Sequence, residues 1–118
     1  MDIDIISLAD TVGLASAEQV YAMTEYLVDA LPGTEVGVHL HAAPGNWEEK
    51  LEAAVNAGSI RYDGALKGIG GCPMAGDDLV GNMATEKMIG FFEERNIETG
   101  LDKNALSRAL VLASQLFT

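Results

Sequence analysis

Short apolar runs alternate with longer amphipathic segments along this chain of 118 residues. Ile3 to Leu8 and Val36 to Leu40 are brief, largely branched runs that end in polar turns, which is typical of buried strands. Ile60 to Leu66 predicts a third strand, which opens into a glycine-rich loop. Val80 to Met83 is a candidate for a very short fourth strand.

Helical patterns lie between and after these runs. Ser16 and Gln19 are spaced for reciprocal capping at the start of the first helix, and Pro32-Gly33 closes that helix. The other expected boundaries are a cap at Asn46 with a helix through Asn56 that stops at Gly58, a helix start at Thr85, and a cap at Asp102. The apolar stripes are Val20, Met23, Leu27 and Leu31 on the first helix, Met88, Ile89 and Phe92 on the third, and Leu106, Leu110, Ala113 and Phe117 on the last.

Strands that alternate with amphipathic helices across short connections predict βαβ units and a parallel sheet, so the fold class is α/β. We expect one domain over residues 1–118. About four strands with outer helices make half of an eight-stranded (β/α) barrel of the TIM type. Such a half exposes two bare edges and an apolar inner face. We therefore expect a missing barrel half, or a second copy in a homo-oligomer, to cover it.

Charge and composition narrow the classes of partner. Eighteen acidic residues against seven basic ones give a net charge of −11, which argues against a nucleic acid or an anionic membrane as partner. No segment approaches the roughly twenty uninterrupted apolar residues of a membrane helix, and the N-terminus does not have the pattern of a secretory signal. A single cysteine cannot form an internal disulfide, so we expect a cytoplasmic protein.

The stretch from Gly68 to Met74 holds that cysteine. Four glycines and a proline lie between Gly64 and Pro73, so the backbone can approach a ligand closely. Cys72 stands outside any periodic apolar run, which is typical of a reactive loop. A small buried apolar residue is the alternative reading.

A second group of candidates lies at the predicted carboxyl ends of the strands. His39 and His41 are two apart on a strand, so both imidazoles point to one face and can share a metal ion. Asp10 and Asn82 fall at the same rim, where (β/α) barrels build active sites. Imidazole, carbonyl oxygen and water together suit Mg²⁺ or Mn²⁺. The alternatives are hydrogen-bonded rim histidines, and turn or cap roles for Asp10 and Asn82.

With these residues identified, the sequence resembles the C-terminal half of the 3-hydroxy-3-methylglutaryl-CoA lyase family, one of the metal-dependent lyase and condensing-enzyme barrels. The similarity runs nearly end to end, and the Gly-Gly-Cys-Pro loop separates the lyases from their condensing relatives. The matching motifs are Ser7-Leu8-Ala9-Asp10-Thr11-Val12-Gly13, Val38-His39-Leu40-His41, Asp63-Gly64-Ala65, Gly68-Ile69-Gly70-Gly71-Cys72-Pro73, Gly81-Asn82-Met83-Ala84-Thr85-Glu86 and Thr99-Gly100.

The resemblance implies roles for these residues. It makes His39, His41 and Asn82 three protein ligands of a catalytic Mg²⁺ or Mn²⁺ ion, and it gives Asp10 a part in handling protons near that ion. It also implies that Cys72 lies on a mobile loop that closes over acyl-CoA; the other loop residues concerned are Gly70, Gly71 and Pro73. A thiol near the nascent enolate can protonate it, and we expect this role for Cys72, with water or Asp10 as its partner. The implied reaction splits 3-hydroxy-3-methylglutaryl-CoA into acetyl-CoA and acetoacetate.

The sequence departs from the family pattern in two places. The family's aspartate ligand and a neighbouring arginine come from the first strand of the N-terminal half, and no equivalent motif is present in this sequence. Ala42-Ala43-Pro44 follows His41, where relatives carry a polar Asp-Thr. We therefore expect a lyase site that is incomplete on its own. The alternative is a self-associating half-barrel that is catalytically silent and serves as a structural or metal-binding module.

Overall fold

The computed structural model describes residues 2–70 and 80–116, and within them the fold is α/β, as the alternating pattern predicts. No helix in those residues has the length and apolar character needed to cross a bilayer. A 3-10 turn, Leu66–Gly68, follows the third strand. In chain order the strands and helices are β1 (Ile5–Asp10), α1 (Ala17–Ala30), β2 (Glu35–Leu40), α2 (Trp47–Asn56), β3 (Arg61–Asp63), α3 (Thr85–Glu94) and α4 (Lys103–Leu116).

The three strands form one parallel sheet in the order β1-β2-β3. The register places Ala9 of β1 beside His39 of β2, and His39 beside Asp63 of β3. Because all strands run in the same direction, their carboxyl ends meet at one edge of the sheet. This arrangement confirms the predicted parallel α/β architecture.

The described part of the chain has three strands rather than about four. β3 ends at Asp63, sooner than predicted, because the chain then enters the 3-10 turn, in which Lys67 adopts a φ of +62°. Val80 to Met83 is not a strand. This segment crosses the ends of β2 and β3, and an isolated bridge joins its Asn82 to His41. Its backbone bonds reach only residues at or just past the ends of β2 and β3, so it does not pair along either strand.

One face of the sheet packs against helices. Val38 and Leu40 point from β2 into a cluster that includes Leu51 and Ala54 of α2, both fully buried. Full burial of a valine or leucine side chain stabilises a fold by about 1.5 to 3 kcal/mol. The other buried members of the cluster are Val20, Ala42, Met83, Met88, Phe91 and Phe92. Phe117, which the sequence places in the stripe of the last helix, lies outside the described residues.

The opposite face of the sheet, which we call the inner face, is more polar than expected. Alternation along β3 turns Arg61 and Asp63 to this face, whereas Tyr62 packs against the core. Arg61 Nη1 lies 3.5 Å from a carboxylate oxygen of Glu35, and the side chains are about half exposed. The expectation of an apolar inner face is therefore wrong for β2 and β3, because two of the inner positions form an ion pair and two others are His39 and Asp63.

The helix caps differ in how closely they follow the sequence. Ser16 Oγ accepts a hydrogen bond from Gln19 N at 3.1 Å, and Gln19 Oε1 accepts one from Ser16 N at 2.9 Å, which confirms the reciprocal cap. Asp102 Oδ1 accepts two backbone N–H groups in the first turn of α4. Asn46 does precede α2, but its Oδ1 accepts from Ala43 N at 2.9 Å instead of from the helix. Its predicted side-chain cap is therefore wrong.

Replacement of Leu51 by alanine tests the core. Because Leu51 is fully buried between β2 and its neighbours, Leu51→Ala should lower the free energy of unfolding by about 2 to 5 kcal/mol, measured by urea denaturation. Leu112 of α4 is 59% exposed and serves as the matched control. Leu112→Ala should change stability by no more than about 0.5 kcal/mol. Equal effects of the two substitutions would contradict this assignment of the core.

Candidate functional site

The two histidines lie side by side at the carboxyl edge of the sheet. His39 belongs to β2, and His41 follows one residue beyond its end, with Leu40 turned into the core between them. The ring centroids are 5.5 Å apart and the rings are tilted by 31°. The structure therefore places the imidazoles on a common face, as the spacing predicts. His41 is buried, whereas His39 is partly exposed.

His39 contacts an amide on one side and a carboxylate on the other. Its Nε2 lies 3.0 Å from Asn82 Oδ1, so the structure brings Asn82 to the histidine pair. Its Nδ1 lies 3.3 Å from Asp63 Oδ2. Asp63 was not among the candidate site residues, although a strand prediction that ended at Asp63 instead of Leu66 would have placed it beside His39.

Backbone carbonyls orient the other two groups. His41 Nδ1 donates to the Val80 carbonyl oxygen at 3.1 Å. Asn82 Nδ2 donates to the Ile69 carbonyl oxygen at 2.8 Å, and Asn82 N donates to that of Gly70 at 3.1 Å. The bond from Nδ2 fixes which end of the carboxamide faces the ring of His39. The loop before residue 71 and the segment after residue 79 thus hold both side chains in place.

Asp10 lies at the same rim but takes part in a different set of contacts. Its Oδ1 accepts from Leu14 N at 3.0 Å, and its Oδ2 accepts from Ala15 N at 3.1 Å. Oδ2 also lies 3.2 Å from Nζ of Lys50, a buried residue of α2. Asp10 therefore has the turn role that was one of its two possible roles in the sequence. Its proton-handling role stays a prediction. Lys50 was missed because no local pattern distinguishes it from an exposed helical lysine.

The remaining candidates divide between described and undescribed residues. Gly70 is described and contacts the site through its carbonyl oxygen. Gly71, Cys72 and Pro73 lie outside the described residues, so their roles stay predictions. Across residues 2–70 and 80–116, no group of three or more His, Cys, Asp or Glu side chains is arranged to hold a metal ion. The amide of Asn82 and the carboxylate of Asp63 lie on opposite sides of the His39 ring.

A cleft of about 170 Å³ opens beside Asn82, between the amino-terminal ends of α2 and α3. Trp47 lies on one side of this cleft. Lys67 and Lys87, two of the seven basic residues of the chain, also line it. In a protein of net charge −11 this is a place where an anionic group meets local positive charge.

Comparison with known proteins gives the same family throughout. The family model described as HMGL-like matches residues 1–112. The chain is 39% identical over 104 residues to the (R)-citramalyl-CoA lyase of Chloroflexus aurantiacus, and the match covers 88% of this chain and 32% of that protein.

Solved structures of HMG-CoA lyases are also similar to the chain. The enzyme from Brucella melitensis superposes with a TM-score of 0.82 at 28% identity, covering 96% of this chain and 40% of that one. The enzyme from Acinetobacter baumannii, in complex with coenzyme A and 3-methylmalate, has a TM-score of 0.76 at 36% identity and covers 86% of this chain and 33% of that one. These neighbours are TIM barrels, and the chain corresponds to part of such a barrel. It spans about a third of the length of the curated relatives it matches.

Substitution of Gly70 tests how the site is built. Gly70 has a φ of +97°, and an added Cβ would lie 2.9 Å from Asn82 Nδ2. Gly70→Ala should therefore displace the carboxamide and lower stability by about 1 kcal/mol or more. The side-chain amide resonances of Asn82, recorded by NMR, should lose the signature of the bond to the Ile69 carbonyl.

Gly45 offers a matched control, because an added Cβ there meets nothing within 4 Å. Gly45→Ala should leave the Asn82 amide resonances in place. If Gly70→Ala also leaves them unchanged, Gly70 does not set the position of Asn82.

Proposed function

The chain belongs to the HMGL-like family, and from this premise we propose that it supplies part of the active site of a divalent-metal-dependent carbon–carbon lyase acting on an acyl-CoA. The proposed reaction is the cleavage of 3-hydroxy-3-methylglutaryl-CoA into acetyl-CoA and acetoacetate. One observation carries the proposal: the contact between His39 Nε2 and Asn82 Oδ1 at 3.0 Å.

That contact joins two hydrogen-bond acceptors in the tautomer of neutral His39 that carries its proton on Nδ1. Asp63 is a carboxylate, which accepts hydrogen bonds and so favours that tautomer, with the proton on the nitrogen that faces it. Nε2 then presents a lone pair to Asn82 Oδ1, which also presents lone pairs because Nδ2 is bonded to Ile69. Two facing acceptors repel each other unless a cation or a proton lies between them. This arrangement suits a cation site.

The donor set fits Mg²⁺ or Mn²⁺. Two ligands at about 2.1 Å from an octahedral ion, 90° apart, are about 3 Å from each other, which is the separation of His39 Nε2 and Asn82 Oδ1. His41 donates through Nδ1 to Val80, so its Nε2 is also left as an acceptor. We propose His39, His41 and Asn82 as the protein ligands, with Asp63 and the Val80 carbonyl orienting the imidazoles.

The described residues provide only part of such a site. Two imidazoles and an amide carry no charge, so a dication needs a carboxylate from elsewhere, and the developing alkoxide needs a second cationic group. Because the chain spans about a third of its relatives, we propose that these groups belong to the rest of a barrel, either a missing half or a second copy of the chain.

The chemistry assigns separate tasks to the residues. A base removes the proton of the tertiary hydroxyl, the carbon–carbon bond breaks as the ketone of acetoacetate forms, and the electron pair becomes the enolate of acetyl-CoA. A bound divalent ion supplies Lewis-acid polarisation of the substrate oxygens and fixes their orientation. His39, His41 and Asn82 hold the geometry of the site. We propose that Cys72 delivers the proton to the enolate carbon, with Asp10 or water as its partner.

Local charge supports an anionic substrate in an acidic protein. Acyl-CoA carries several phosphates, which the net charge of −11 repels at long range. Lys67 and Lys87 line the cleft beside Asn82 and oppose that repulsion close to the site. We propose that the acyl-CoA approaches the metal ligands from this side.

An activity assay tests the proposed function. The purified chain with Mn²⁺ should release acetoacetate from 3-hydroxy-3-methylglutaryl-CoA if it assembles a complete site, and Cys72→Ala should abolish that release. Because one relative is a citramalyl-CoA lyase, (R)-citramalyl-CoA should be assayed in parallel to define the acyl group. Folded chain that binds Mn²⁺ but cleaves neither substrate would favour the silent, self-associating half-barrel. Sedimentation at several concentrations would then report its association.

Metal binding can be tested without turnover. His41→Ala and Asn82→Ala should each weaken the binding of Mn²⁺ by at least tenfold in calorimetry, because each removes a proposed ligand. Asn56 lies exposed at the carboxyl end of α2, whereas the amino-terminal end of that helix lines the cleft, so Asn56→Ala is the matched control for the amide and should leave the isotherm unchanged. Unchanged isotherms for the two ligand variants would remove the metal-site proposal.

Asp63 provides a finer test of how His39 is oriented. Asp63→Asn keeps the size of the side chain but replaces the carboxylate with an amide, which can donate as well as accept. The preference for a proton on Nδ1 is then lost, and Mn²⁺ affinity should fall about 10- to 100-fold. Asp29→Asn makes the same charge change at an exposed position of α1 and should have little effect. If the two variants bind Mn²⁺ equally, Asp63 does not orient the ligand.

A further inference from the structure

Lys50 is the most completely buried charged side chain in the described part of the chain, with 1% of its surface exposed. Its Nζ lies 3.2 Å from each of three acceptors: Asp10 Oδ2 and the carbonyl oxygens of Gly13 and His41. An ammonium has three N–H donors, so every donor has a partner. The negative charge of Asp10 balances the positive charge of Lys50 inside the fold.

The contacts of Lys50 lie where β1 and β2 end, beside the backbone of His41. β1 ends at Asp10 and β2 at Leu40, so His41 lies just past the last rung of the ladder between them. On one side, the backbone next to His41 is held by the segment that carries Asn82. On the other side, Lys50 donates to the His41 carbonyl where a strand N–H would otherwise do so. The ammonium thus bonds the first carbonyl beyond the paired part of β2, which belongs to His41.

We propose that Lys50 is a positioning residue for His41: it ties the β1–α1 turn to the His41 carbonyl and so sets the direction of the imidazole. The functional consequence of this inference rests on the proposed function, in which His41 is a ligand. Buried ion pairs contribute little net stability compared with apolar side chains of similar size, so simple stabilisation is a weak explanation for this one. A single change at Lys50 that left Asp10 charged and unpaired would destabilise the fold, so the test uses a neutral pair.

The test compares metal-free His41 and His39 in one spectrum. The chain has two histidines, so a long-range ¹H–¹⁵N spectrum contains only two imidazoles. In the double variant Lys50→Met, Asp10→Asn the His41 ring signals should shift as its bond to the Val80 carbonyl is altered, whereas those of His39, which is held by Asp63, should stay. Mn²⁺ affinity should fall about tenfold. Activity is not the readout, because Asp10 is itself a candidate catalytic residue.

A control is the ion pair between Arg95 and Glu52, which also involves α2 but is partly exposed and lies at the carboxyl end of α3. The double variant Arg95→Met, Glu52→Gln should leave both imidazoles and the Mn²⁺ isotherm unchanged. If the Lys50 variant does not fold, Lys50→Arg keeps the charge but replaces the compact ammonium with a planar fork. The His41 signals should then move while those of His39 stay.

The outcomes separate the two proposals. Unmoved His41 signals in a folded Lys50 variant, or equal shifts in the control, would overturn the positioning role. Absence of Mn²⁺ binding by the unaltered chain would overturn the metal site, but the metal-free spectra would still decide whether Lys50 positions His41.

Discussion

The segment around Gly81 to Met83 is bonded to the ends of two strands at once, and the candidate site depends on this constraint. Gly81 O accepts from Ala42 N at 3.2 Å, and Met83 N donates to Leu40 O at 3.4 Å. Met83 O accepts from Ala65 N at 3.0 Å, just past β3. With its neighbours fixed on both sides and Nδ2 bonded to the Ile69 carbonyl oxygen, Asn82 presents its carboxamide oxygen to His39. A contact between residues 43 positions apart thus follows from backbone hydrogen bonds.

Features set by local chemistry could be predicted from the sequence. The Ser16–Gln19 cap, the parallel α/β pattern and the common direction of the two imidazoles all depend on residues a few positions apart. Features set by distant partners could not. The pattern of Val80 to Met83 predicts a fourth strand, but the backbone of this segment is bonded to residues at the ends of β2 and β3, which are distant in the sequence.

The site shows the same division. The candidate ligands come from sequence motifs, whereas the groups that hold them come from the fold. In the sequence, Lys50 cannot be distinguished from an exposed helical lysine, and its role depends on the packing of the β1–α1 turn against it. Asp63 lies inside a longer predicted strand, and its role depends on the early end of β3. The sequence indicates which atoms can bind an ion. The arrangement of carbonyl and carboxylate acceptors around those atoms is visible only in three dimensions.

The polar inner face of the sheet affects how a barrel would close over it. Glu35 with Arg61, and His39 with Asp63, are solvated in the present arrangement. A second half that covered them would remove water from charged groups, which costs free energy, and would gain little from apolar contact on β2 and β3. Closure over this face should therefore be governed by ionic strength and by how much water the barrel interior retains, more than by hydrophobic area.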